Sequence, residues 1–489
     1  MSQLSDGLAV FVKRDCPTCV QVVPVLAEMR AAGLALTIYS QDDPGFPEGL
    51  GDVADDTSLE RSWRFGIEIV PTLLRIEDGR ETGRGVGWVR SEWRDLAAPG
   101  GLNLELGPEL PEARPGCGSR SVEPGLAERL EIEFGDHTLA SRQISLGAYD
   151  DEVESCYERG WSDGLPVVPP TVERVFRMLQ GTARGAEEVI GAVPPNLAPC
   201  SVEKVAVNAV MAGCKPEYLP LVLAAVEAAL IDEFCMHGLL CTTWFASPVV
   251  IVNGPAAGRV GMNSGANALG QGNRANATIG RALQLVIRNV GGGRPGEIDR
   301  SALGNPGKYT FCFAEDEAGS CWESLAQERG IAPGASAVTL FAGDGVQPLM
   351  DQKSRTPESL ARTLAAGLRG VGHTKLATVP GVSLSGDALV VITPEHQRVF
   401  AEAGWSKQRL RSELEDLLTI PGRELVAGAG GIAEGIPESH AEGSYPKFRP
   451  GGLLLVRAGG GAGMFSAIIS GWVASGELGS IPVTKEVTE

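Results

Sequence analysis

Two cysteines three positions apart, in Cys16-Pro17-Thr18-Cys19, are the residues of this chain best spaced for chemistry. The apolar run Leu8 to Val12 precedes them, and Val22, Val23, Val25, Leu26 and Met29 follow at helical spacing, so the pair falls between a strand and a helix. Unpaired N–H groups at a helix start stabilise a thiolate on the first cysteine. Cys16 is therefore the expected nucleophile. Cys19, one turn deeper, can attack the mixed disulfide that Cys16 forms and release a reduced partner, which makes it the resolving thiol. The same spacing could be half of a zinc site, but that needs two more ligands nearby. No histidine precedes His137, and the next cysteine is Cys117, so the redox reading leads.

Eight other cysteines need an account. Cys117, in Gly116-Cys117-Gly118-Ser119, sits in a Gly- and Pro-rich stretch and reads as a bystander or as a flexible shuttle thiol. Cys200 and Cys214 flank a helix that Ser201 should cap, running from Val202 to Ala212. Cys312, on a β-forming run with Lys308 and Tyr309 before it and Glu315 after it, has the ingredients of a nucleophile or acid/base site. Cys312 or Cys214 is the expected thiol partner of the Cys16 pair. Cys235, His237 and Cys241 could supply three soft ligands to zinc or iron, although their spacing is not the regular two-plus-two pattern.

The polar run Asn263 to Gly280 leads into a helix whose apolar face is Ile279, Leu283, Val286 and Val290. Such a Gly/Asn loop is either an anion site, with Arg274 adding charge, or a structural turn rich in left-handed residues. Asn273, Arg274, Lys308 and Asp163 are the expected substrate-binding residues. With only five histidines, none in a nucleophile context, Ser/His/Asp catalysis has the least support.

The elements that must carry these residues follow from length and composition. At 489 residues and 43% apolar content the chain exceeds one hydrophobic core, so several domains are expected in an α/β architecture. The expected divisions are a redox domain over 1–98, a linker over 99–150, and two α/β lobes over 151–330 and 331–489. Two parallels suggest a duplication: Leu165–Phe176 with Leu389–Phe400, and Val249–Gly265 with Leu453–Gly463. A net charge of −19 disfavours nucleic acid and anionic membrane surfaces. The start shows no secretory signal and no run is long and uninterrupted enough to span a bilayer, so cytoplasmic residence is the expectation. Met464 to Val473 reads as core or as the interface of a homo-oligomer.

From Gly7 to Ala97 the chain resembles the thioredoxin-fold family, on the CPTC motif, the order strand, helix, strand, helix, hairpin, helix, and Val70-Pro71-Thr72. The resemblance implies that Pro71 is cis and faces the cysteine pair. Asp15 replaces a tryptophan frequent in that family, and Pro17-Thr18 replaces Gly-Pro, so thioredoxin's potential and partners do not transfer.

Beyond Trp161 the chain resembles a bacterial family associated with UGSC-type selenoprotein modules. The segments are Gly160–Pro166, Glu203–Cys214, Asn305–Glu317, Pro394-Glu395-His396 with Gly404–Lys407, and Ala458-Gly459-Gly460 near Gly471-Trp472. This implies thiol or selenol chemistry beside the domain and assigns no catalytic residue. The expected function is a thiol-dependent oxidoreductase, in which a redox-active dithiol, recharged by a cellular thiol or disulfide reductant, serves a catalytic domain acting on a small polar or anionic substrate. The alternatives are a metal-dependent lyase or hydrolase acting on a carbon–heteroatom bond, with its cysteines kept reduced by the dithiol, and a soft-metal binding protein.

Overall fold

The computed structural model describes residues 4–97, 106–135, 139–473 and 479–488. The chain is α/β and forms two compact units, Met1–Thr138 and Leu139–Glu489.

In the first unit the elements are β1 (Gly7–Val12), α1 (Pro17–Gln21), α2 (Val23–Ala31), β2 (Leu36–Ser40), β3 (Val53–Asp55), α3 (Glu60–Arg64), β4 (Ile69–Val70), β5 (Thr72–Glu77), β6 (Arg80–Val86), β7 (Trp88–Val89), α4 (Arg90–Ala97), β8 (Ala113–Arg114), β9 (Cys117–Gly118) and α5 (Leu126–Phe134). The main sheet has the order β3-β2-β1-β5-β6, with β1 parallel to β2 and antiparallel to β5. Five apolar residues in succession, Leu8 to Val12, are buried because β1 is central and covered on both faces. Asp78 and Gly79 both take positive φ, as a tight two-residue hairpin turn between β5 and β6 requires. The Val70–Pro71 peptide is cis.

The expected boundary at residue 98 and the expected linker need correction. Residues 106–135 fold onto the first unit. The Trp88 indole N–H donates to Pro111 O at 2.7 Å, and the Arg90 guanidinium donates to the carbonyls of Leu106 and Gly107 at 2.9 and 2.7 Å and to that of Leu110. Strand β8 then pairs with β7, and β9 with β4. The segment is held by polar contacts to its carbonyls and by two-residue ladders, so it lacks the apolar period that would have revealed it.

The second unit contains α6 (Glu152–Glu158), α7 (Val172–Leu179), β10 (Val189–Val193), β11 (Ala198–Ser201), α8 (Val202–Ala212), α9 (Leu219–Ala229), α10 (Met236–Cys241), β12 (Ser247–Asn253), α11 (Pro255–Arg259), α12 (Arg274–Asn289), β13 (Cys312–Ala314), α13 (Leu325–Glu328), β14 (Ala337–Met350), α14 (Pro357–Gly370), β15 (Gly386–Ile392), α15 (Pro394–Glu402), α16 (Lys407–Leu417), β16 (Thr419–Pro421), α17 (Gly422–Leu425), β17 (Ser444–Pro446), β18 (Leu453–Arg457), β19 (Phe465–Val473) and β20 (Val483–Glu486). Its main sheet runs β13-β12-β14-β19-β15-β18, with β20 on β14. The two expected lobes, 151–330 and 331–489, therefore share one sheet.

That sheet is palindromic. A parallel pair, β12 with β13, flanks the antiparallel centre β14/β19 on one side, and a second parallel pair, β15 with β18, flanks it on the other. By position in the sheet β12 thus corresponds to β15, β13 to β18 and β14 to β19. The correspondences expected from sequence differ: Leu165–Val168 is not a strand, and Val249–Val252 belongs with Val390–Ile392. Alternate residues of all six strands, among them Ile251, Phe313, Phe341, Val391, Val456 and Ile469, meet in one core on a shared face. The opposite face is covered by α8, α9 and α12 at one end and by α14, α15 and α16 at the other. Asp316 N–H donates to Arg457 O at 2.8 Å, joining the ends of the two outer strands, so the sheet curls around that core.

Candidate redox centre

Cys16 ends the loop after β1 and is the residue before α1. Its extended backbone (φ −103°, ψ 114°) turns the side chain back so that Sγ accepts the Cys19 N–H at 3.4 Å. Pro17 opens the helix, where its missing N–H costs nothing. The hydrogen bond from the Cys19 thiol is the main cause that lowers the Cys16 pKa to about 5; burial opposes it, and the Cys117 thiol and the N–H groups of Cys19 and Thr18 add to the lowering. Burial pushes the Cys19 thiol far up, so it stays protonated until Cys16 is consumed. One thiolate beside one thiol is the arrangement that disulfide exchange needs.

Across from the pair lies the loop Ile69-Val70-Pro71. When protonated, Cys16 Sγ donates to Val70 O at 3.4 Å, which places the loop of the expected Pro71 against this sulfur.

The third sulfur here is Cys117, which from sequence reads as a bystander or a flexible shuttle thiol in a linker and which the structure instead fixes in a strand. Strand β9 pairs antiparallel with β4, setting Cys117 opposite Val70. The Thr18 hydroxyl donates to Pro115 O at 2.7 Å, binding the same segment to α1. Gly116 has to be glycine: a Cβ would stand 2.4 Å from Ile69 Cγ2 and 2.5 Å from Val70 O. After the strand, Ser119 N–H donates to Glu68 O at 2.9 Å and its hydroxyl accepts from Gln41 Nε2 at 2.7 Å. Cys16 and Cys19 are both 0% exposed, whereas Cys117 is half-buried. The motif Gly116-Cys117-Gly118 was the available signal: two glycines flanking a cysteine permit a close backbone approach to another chain segment.

The residues expected to act in the second unit are distributed differently. Cys214 is buried, its thiol donating to Thr278 O at 3.4 Å, and burial raises its pKa to about 12. Burial also pushes the Cys312 thiol up, and a charge on Cys214 would raise it further. Both act as small apolar core residues, and neither opens to an outside sulfur. Asn273 caps α12 by accepting Asn276 N–H at 3.0 Å, and Arg274 Nε donates to Gly213 O at 2.9 Å. The loop before them wraps around buried Asn276, which bonds both Asn263 and Ala268. This is the structural-turn arrangement. Cys235, His237 and Cys241 do not form a group able to hold a metal ion; among the described residues no group of three or more His, Cys, Asp or Glu does.

Asp163 and Lys308 do come together, on the wall of a cavity of about 520 Å³ that Gln284, Arg288, Asn305 and Tyr309 also line. Each already has an ionic partner. Asp163 takes Arg281 in a two-point contact at 2.8 Å, and Lys308 meets both oxygens of Asp299 at 2.7 and 2.6 Å. Burial raises and the Arg281 guanidinium more than offsets it, so Asp163 titrates below the usual carboxylate range. Sequence reasoning missed Arg288, whose Nε is buried in this wall without a hydrogen-bond partner. Its place on the polar side of an amphipathic helix gives no signal that sets it apart from a solvated position. A larger cavity, about 670 Å³, lies beside Cys156, Trp161, Lys204 and Asn208 and contains none of the expected residues.

No protein-family model matches the chain, and no curated protein matches it.

Proposed function

We propose that this protein is a thiol–disulfide oxidoreductase whose working group is the Cys16/Cys19 dithiol. The observation that carries the reading is the environment of Cys16: a sulfur at a helix start, accepting the Cys19 N–H and stabilised as a thiolate beside a protonated second thiol. The strand, helix and hairpin order of the first unit and the loop of Pro71 across from the pair support the thioredoxin-like assignment.

In this reading the dithiol serves chemistry in the second unit, on a small anionic substrate. The 520 Å³ cavity is the candidate binding place, because Arg288 brings it a buried guanidinium nitrogen with no partner of its own. Such a group lacks compensation until an acceptor arrives.

Reduction of insulin disulfides by dithiothreitol, followed as turbidity, tests the redox reading. The intact chain should accelerate it and Cys16→Ser should abolish the acceleration. Equal rates with and without Cys16 would overturn it.

A further inference from the structure

The two thiols of the proposed dithiol have no exposed surface, so an external disulfide cannot touch either sulfur in this conformation. The segment that covers them is anchored on both sides. It pairs with β4, accepts the Thr18 hydroxyl at Pro115, and is fixed just after β9 by Ser119 to Glu68 and Gln41. A cover so tied is a poor lid. It does, however, carry a sulfur of its own, half-exposed, on the Cys16 side.

We propose that Cys117 is the relay thiol of this centre: external disulfides exchange with Cys117, and the Cys16/Cys19 pair exchanges with Cys117 in turn. The proposal rests on the redox reading above and extends it to the route by which electrons leave.

The steps balance as ordinary thiol–disulfide exchange. Cys117 stands opposite Val70, whose carbonyl meets Cys16 Sγ, and the Cys117 thiol stabilises the Cys16 thiolate. Cys117 attacks one sulfur of the external disulfide, forming a mixed disulfide, and its proton leaves with the first expelled thiolate. The Cys16 thiolate attacks Cys117 Sγ, expelling the second thiolate and leaving a Cys16–Cys117 disulfide. Cys19 then attacks Cys16 Sγ; its proton goes to the second expelled thiolate, and Cys117 departs as a thiolate. The sum is one external disulfide reduced to two thiols and one Cys16–Cys19 disulfide formed. In the reducing direction Cys117 reopens the Cys16–Cys19 disulfide by attack on Cys16 Sγ, and a cellular dithiol then reduces the Cys16–Cys117 disulfide by attack on Cys117 Sγ, itself leaving as a disulfide.

The order of the three sulfurs is testable with 5,5′-dithiobis(2-nitrobenzoate) as the disulfide, in the full chain with the exposed Cys241 and Cys321 replaced by serine. Peptide mapping of disulfides should show Cys16–Cys19 in the parent, Cys16–Cys117 in Cys19→Ser, and a lasting mixed disulfide on Cys117 in Cys16→Ser. Cys117→Ser and Cys117→Ala should each slow formation of the Cys16–Cys19 disulfide by about tenfold or more, as expected for a buried thiolate without its accessible partner. If both Cys117 variants form it at the parent rate, or if Cys19→Ser yields no Cys16–Cys117 bond, the relay is overturned while the dithiol stands. If the parent itself forms no Cys16–Cys19 disulfide, the underlying redox reading fails instead.

Discussion

Cys16 is charged at neutral pH because its pKa, about 5, lies well below that of a free thiol. The Cys19 thiol is the first cause, and the local N–H groups and Cys117 assist. Because the folded-state value is depressed, ionisation stabilises the folded reduced protein. That contribution is complete above the unfolded-state value near 9 and is lost as pH falls through about 5. Thiolate absorbance at 240 nm should therefore titrate with a midpoint near pH 5 in the reduced chain and lose that step in Cys16→Ser. The melting-temperature advantage of the reduced parent over Cys16→Ser should likewise shrink as pH is lowered from about 8 to about 5. A midpoint near the free-thiol value would contradict the geometry of the site. The CPTC spacing made this pair legible. Cys214, Cys312, Lys308 and Asp163 were legible as polar or reactive types, but their state depends on burial and on partners as distant in sequence as Arg281. No local pattern carries that information.

At the scale of elements, the sequence signals that are local in origin match the structure well. Ser201 caps a helix over Val202–Ala212, its hydroxyl accepting Lys204 N–H, and α12 presents the expected Ile279, Leu283 and Val286 face to the core. Signals that depend on pairing were not legible. Leu165–Val168 has the β-branched, apolar composition of a strand and finds no ladder. Cys117–Gly118 has no strand propensity, and it pairs because Gly116 permits the approach to Val70. Gly116→Val should therefore push β9 off β4, since its added carbons meet Ile69 Cγ2 and Val70 O. Alkylation of Cys16 by iodoacetamide should then rise by about tenfold or more, because a thiolate reacts once it is accessible. An unchanged rate in a folded variant would show that β9 does not shield the thiolate.

For the whole molecule, the division into units follows from where the pairings close. The first unit's core gathers residues from Leu4 to Leu106, with Leu110 and Cys117 packed against it, and the second unit's sheet takes strands from both halves of its sequence. A fragment of residues 1–138 should accordingly melt cooperatively, whereas 1–98 should melt lower or not fold, having lost the partners of Trp88, Arg90 and β4. Cutting the second unit at 330 should leave two insoluble pieces, because it breaks the seven-residue β12/β14 ladder. Circular dichroism melts of these fragments check both outcomes; a stable 139–330 piece would contradict the single-sheet architecture. Length pointed to more than one domain, but neither the two expected lobes nor the boundary at residue 98 matches the two compact units, since strands from both lobes share one sheet and a Pro/Gly-rich segment bound through its carbonyls reads like a tether. The most direct test is differential alkylation with mass spectrometry, in which the intact chain is equilibrated over a graded series of reduced and oxidised glutathione, then acid-quenched and unfolded before labelling. Cys16 and Cys19 should lose reactivity together at a single midpoint and appear as one disulfide-linked peptide pair, while Cys214 and Cys312 remain thiols throughout. Cys16 and Cys19 remaining free thiols at every ratio would contradict the account.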